Sequence, residues 1–128
     1  MAAASNYLEN KILDHVLGTA AYTMPTTVEV ALSTSAYNDD GLGGTELSGG
    51  GYARQTATFN ASSGGIATNA ADLTFSNLQG VSVTQISHYG IFDQSGNLLI
   101  HAAMTTPKTV ADGEDAVIRA GQLTVSAT

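Results

Sequence analysis

The run Gly43–Gln55, GGTELSGGGYARQ, sets five glycines around a carboxylate, Glu46, and ends beside an arginine, Arg54. A glycine-rich loop with a cation is the material of a phosphate cradle, in which backbone N–H groups wrap an anion. That chemistry needs a Lys and a Ser or Thr directly after the last glycine, at the start of a helix. Here Tyr52-Ala53-Arg54 follows instead and leads into a segment of strand character. A dinucleotide fingerprint would need a βαβ unit around its glycines, which the surrounding pattern does not supply. Gly49, Gly50 and Gly51 are therefore read as residues that let the chain turn sharply or bring two backbones close.

Three further groups invite chemistry. The acidic loop Asn38-Asp39-Asp40-Gly41 suggests a hard cation, but it lacks the alternating oxygens and the distal bidentate Glu of a helix-flanked calcium loop. Its aspartates fit turn formers whose side chains bond nearby amides, with a looser surface cation site as the alternative. His15, His88 and His101 are the only histidines. His88 and His101 lie on neighbouring hairpin strands, and pairing Phe92 with Leu98 points them to opposite faces, which speaks against a shared metal. His88 is expected as a hydrogen-bonded core or interface histidine. No Gly-x-Ser-x-Gly elbow occurs, and Glu114-Asp115 falls in a turn, so no catalytic constellation is found and no cofactor or metal is expected.

The elements that must position these residues follow from periodicity. Asn6-Tyr7-Leu8-Glu9 has capping-box spacing, and Leu8, Ile12, Leu13 and Val16 recur at helical spacing up to Gly18, predicting an amphipathic helix over Tyr7–Leu17. Downstream the texture is β. Thr27–Thr34 alternates apolar and polar residues, and Tyr52–Phe59, Ile66–Asn69 and Asp72–Phe75 are short strands. The clearest hairpin is Val83–Phe92, a turn over Asp93–Asn97, and Leu98–Met104. Strands near Lys108–Val110, Ala116–Arg119 and Leu123–Ser126 complete the set. The expected fold is mainly β, an antiparallel sandwich or barrel (jelly-roll-like) of about seven to nine short strands with one N-terminal helix, in a single domain over residues 1–128. Tyr89, Ile91, Leu99 and His101 fall on the second face of the hairpin. A sheet apolar on both faces is central in its fold or meets another subunit.

Composition removes whole classes of function. Hydrophobic residues make up 43% and charged residues 12% of the 128, with a formal net charge of −7. Lys11, Arg54, Lys108 and Arg119 are the four permanent cations, too few and too scattered to neutralise a run of phosphates or an anionic membrane. Neither nucleic acid nor membrane is an expected partner. The absence of cysteine excludes disulfides and zinc–thiolate sites. The start MAAASNYLEN has no basic region followed by an apolar one, so no secretory signal is expected.

The same residues carry a resemblance. Asn6–His15, NYLENKILDH, resembles the N-terminal helix of small tailed-bacteriophage virion proteins usually labelled tail-fibre-like. Tyr22–Leu32 is similar to that family's first strand and its lead-in, and Gly43–Glu46 with Gly49–Gln55 to its most specific segment. Tyr89–Asp93, Gly96–Leu99, Lys108–Val110 and Gly121–Val125 extend the likeness along nearly the whole chain in order. The resemblance implies a non-enzymatic structural protein located in the virion and made in the host bacterial cytoplasm. It carries no catalytic residues. A long fibre needs repeats, a coiled coil or a β-helical shaft, and none is present in this pattern. A capsid decoration or cement protein is therefore ranked first. Its expected partners are the major capsid protein or other virion subunits, with homo-oligomers favoured as trimers before dimers. A tail adaptor, tail-fibre or baseplate subunit is the alternative. A glycan-binding sandwich ranks below both, since Trp is absent and aromatics total 6%. The expected interface residues are Tyr52, Arg54, Tyr89, Ile91 and Leu99, with Gly49, Gly50 and Gly51.

Overall fold

The computed structural model describes residues 3–78 and 84–126. Its order is β1 (Ala3–Ala4), α1 (Asn6–Val16), β2 (Val28–Ser33), β3 (Gln55–Ala57), β4 (Ile66–Thr68) and β5 (Leu73–Phe75). There follow β6 (Thr84–Asp93), β7 (Leu98–Val110), β8 (Ala116–Ile118) and β9 (Thr124–Ser126). A five-stranded antiparallel sheet runs β1-β7-β6-β2-β3, and two ribbons, β4-β9 and β5-β8, stand apart from it. The main core joins Val30, Leu32, Ile86, Tyr89 and Ile91 of the sheet to Leu73, Phe75, Ile118 and Leu123 of the ribbon layer. The expected mainly-β antiparallel fold with an N-terminal helix is thus observed. Val83, where the first hairpin strand was expected to begin, lies outside the described residues.

The helix starts one residue earlier than expected, because Ser5 and not Asn6 is the N-cap. The Ser5 hydroxyl accepts a hydrogen bond from the Leu8 N–H at 3.2 Å. The same hydroxyl donates to the Leu98 carbonyl, and the Ser5 N–H reaches the Leu99 carbonyl at 2.8 Å. Both residues are good caps. The short strand β1, paired to Ile100 and His101, settles the choice by anchoring Ser5 to the sheet.

Two irregularities shape β7. Phe92 does face Leu98, but Ile91 pairs with Ile100, so Leu99 is an extra residue in the ladder. Beyond it Gly90 pairs with His101 and His88 with Ala103. This shift overturns the expected opposition of the histidines: His88 and His101 share a face. The next pair after His88–Ala103 is Ile86–Lys108, so Ser87 alone stands opposite Met104, Thr105, Thr106 and Pro107. The strand expected near Lys108–Val110 is therefore the far end of β7, reached through an outward excursion. Pro107, which has no N–H for a ladder, sits where no ladder bond is required.

Candidate interaction surface

The glycine-rich run is a device for returning twice to one strand edge. Thr45–Leu47 lies along the end of β2, with the Thr34 N–H bonded to the Thr45 carbonyl and the Leu47 N–H to the Leu32 carbonyl, both at 3.0 Å. The chain then loops out and comes back as β3 against Val28–Val30. Between the two contacts the Leu32 N–H is satisfied by the Tyr52 hydroxyl at 3.1 Å. Gly49 and Gly50 take positive φ in the outward loop. Gly51 is held by close approach: a Cβ there would lie 2.7 Å from the Ser76 carbonyl oxygen and 2.8 Å from that of Asn77. The close backbone contact expected of these glycines is made within the chain.

Glu46 stands at the centre of the run. Arg54 grips its carboxylate from Nε at 2.9 Å and from Nη2 at 2.8 Å, and the Tyr52 hydroxyl donates to the same group at 2.7 Å. The Arg54 guanidinium also lies over the Phe92 ring, 3.8 Å from its centroid. A planar fork suits both a two-point carboxylate contact and stacking on an aromatic face. Burial by itself raises the Glu46 pKa, but the hydrogen bonds from Arg54 and Tyr52 outweigh it and hold the carboxyl below its ordinary value. Burial pushes the Tyr52 phenol far above its ordinary range, reinforced by the neighbouring carboxylate. The Glu46 hydrogen bond raises the Arg54 pKa further. The group is a charged clasp that ties loop, sheet edge and second sheet face together.

The remaining expected interface residues are also placed inward. Tyr89, Ile91 and Leu99 are 6%, 3% and 5% exposed. Tyr89 and Ile91 belong to the main core, because the ribbons cover that face of the hairpin. The opposite face holds Ala31, Tyr37, Phe92 and Leu98 in a second small cluster. Both apolar faces of the hairpin are thus covered by this chain itself. Such covering by distant segments leaves no trace in a local pattern.

The groups considered for metal binding have other partners. Asp39 meets His101 at 2.7 Å, and Asp40 accepts the Leu42 N–H at 2.9 Å as a turn former does. His88 Nδ1 lies 2.7 Å from the Ser87 hydroxyl. Among the described residues no group of three or more His, Cys, Asp or Glu side chains could hold a metal ion.

The surface that sequence reasoning passed over is the helix. None of the residues of α1 is buried, and Ile12, Leu13, Val16 and its C-cap Leu17 are 45–72% exposed. Ile12 with Val16, and Leu13 with Leu17, stand at i,i+4 spacing and form one apolar stripe. Its signal is the same periodicity that predicts the helix. A helix of 11 residues is marginal on its own and gains stability chiefly by covering such a stripe.

Fold and surface together define a small antiparallel β protein: an internally clasped body that presents an uncovered apolar helix face. Residues 3–126 match the family described as Podophage GP4 fiber I protein gp80. The chain belongs to that family of phage fibre proteins, in keeping with the tail-fibre-like resemblance of its sequence. No curated protein matches it.

Proposed function

We propose that this protein is a non-enzymatic subunit of a podophage tail fibre, held in the virion by protein–protein contact. The observation that carries the proposal is the uncovered apolar stripe on α1, on a body whose sheet faces are already filled. Apolar side chains gathered on one exposed face mark an association surface. The fibre description of the matched family supports ranking tail attachment ahead of shell decoration, the reverse of the order expected from sequence. Glycan capture ranks lower, because Tyr37, Tyr52, Tyr89, Phe75 and Phe92 are used in the cores and the clasp. Cryo-electron microscopy of particles with and without the protein tests the placement. Difference density at the tail is expected. Density spread over the shell would overturn the fibre reading in favour of decoration, and absence from purified particles would defeat both.

A further inference from the structure

Among the described residues a cavity of about 580 Å³ opens between the excursion of β7 and the segment that carries β8 into β9. Its floor is apolar, formed by Tyr89, Ala102, Ile118 and Leu123, all residues of the main core. Ala103–Thr106 make one wall and Gln122–Thr124 the other. It exists because Met104–Pro107 swing away from the ladder opposite Ser87. Lys108 and Arg119, two of the four permanent cations in the chain, stand on its rim. Lys108 uses one of its three N–H donors on the Val117 carbonyl, at 2.6 Å. Arg119 meets Asp72 at 3.3 Å in an exposed contact, which binds it weakly.

The helix carries the complementary features. Glu9 stands one turn before Ile12 and Leu13 in line with the apolar stripe, and Asp14 lies to its side with its carboxylate accepting the Thr19 hydroxyl at 3.0 Å, while Lys11 is turned over the Tyr7 ring. An apolar ridge bearing carboxylates and a groove with an apolar floor, polar walls and cations thus occur on one chain, with the net charge of −7 disfavouring contact between acidic surfaces. Two such helices laid against each other would bring their carboxylates together. At about 1.5 Å per residue they would also be too short to bury the ~800 Å² per partner of an ordinary stable interface. A helix lodged in a groove adds both groove walls to the buried surface.

We infer that copies of this chain join head to tail, the apolar stripe of α1 in one copy seated in the groove between β7 and β9 of the next. This rests on the assembly role proposed above and names the neighbour. Two different surfaces meet, so the contact is heterologous. It closes into a ring if the rotation allows and runs on as a filament if it does not.

Sedimentation of the purified full chain tests the arrangement. Val16→Asp places a charge on the exposed stripe, and the double variant Lys108→Glu/Arg119→Glu makes the groove rim acidic. Circular dichroism should show both folded. The unaltered chain should form oligomers in a concentration-dependent manner. Each variant alone should lose association by at least about tenfold. An equimolar mixture retains one intact ridge and one intact groove, and should recover association but stop at a dimer. A chain that stays monomeric throughout overturns the inference, as does a groove variant that associates normally, which would indicate helix-to-helix contact. A mixture that fails to recover also overturns it. A monomeric chain that is nonetheless found on the tail would leave the fibre reading standing, whereas absence from particles would remove that reading alone.

Discussion

At the residue scale Arg54, expected at an interface, makes its contacts in this structure within the chain. It neutralises Glu46 and covers Phe92, so its removal leaves a half-buried carboxylate with one hydroxyl donor and exposes an aromatic face. Arg54→Ala should destabilise the fold by about 1–3 kcal/mol, between the values for surface and buried pairs. Arg54→Lys should recover only part of that, because an ammonium cannot make the two-point grip. Urea unfolding of the three proteins measures both, and equal midpoints would refute the clasp. The depressed Glu46 pKa adds a pH signature. A carboxyl whose folded pKa lies below its unfolded one contributes stability above the unfolded value, near 4.5, and loses it as pH falls through the folded value. The stability gap between wild type and Glu46→Gln should therefore be wide at neutral pH and shrink in acid. A gap unchanged between neutral and strongly acidic buffer would sink this account. The run was legible as shape rather than phosphate chemistry, since its missing lysine, hydroxyl and helix are local facts. The grip of Arg54 on Glu46 was not legible, because opposite charges across an irregular loop obey no periodicity.

At the scale of elements, the ribbons depend on one side chain that no motif announced. Asn69 is buried between β4 and the β8–β9 connection, where its amide donates to the Ala71 and Arg119 carbonyls at 2.9 and 3.0 Å. Its oxygen accepts the Leu123 N–H at 2.9 Å. Asn69→Leu removes all three bonds and strands buried backbone groups, each costing roughly 1–3 kcal/mol. The variant should melt well below wild type, with early loss of amide-exchange protection at Leu123. Uniform loss of protection across the fold would contradict this local role. Long alternating or helical stretches were readable, as β2 and α1 show. The hairpin register was not, because Leu98, Leu99 and Ile100 are all apolar and the pattern cannot mark which is the extra residue. Likewise Thr105, Thr106 and Pro107 read as a break, whereas the structure carries them as a detour within one strand.

For the whole molecule, the division of apolar surface decides what the subunit exposes. The sandwich fills both sides of its central hairpin from its own loops and ribbons, leaving α1 as the coherent uncovered stripe among the described residues. Val16→Asp should therefore leave the stability of the isolated subunit within about 0.5 kcal/mol of wild type, as surface substitutions do. A large loss would mean that the stripe packs within its own subunit. Sequence made the helix legible and its amphipathicity plain, but amphipathicity alone does not say whether the covering surface belongs to the same chain.

The attachment of Ser5 to Leu98 and Leu99 has a bearing on synthesis. The bond from the Ser5 hydroxyl spans 93 residues of chain. Chain emerges from the ribosome in order, so the helix is made well before the strand that seats it. Contacts at such separation are slow to close. The apolar stripe is consequently held in its folded position only on chains carried through β7, and a nascent fragment ending in the Asp93–Asn97 turn has no seat for it. Correct presentation of the helix thus reports that translation has passed the central hairpin.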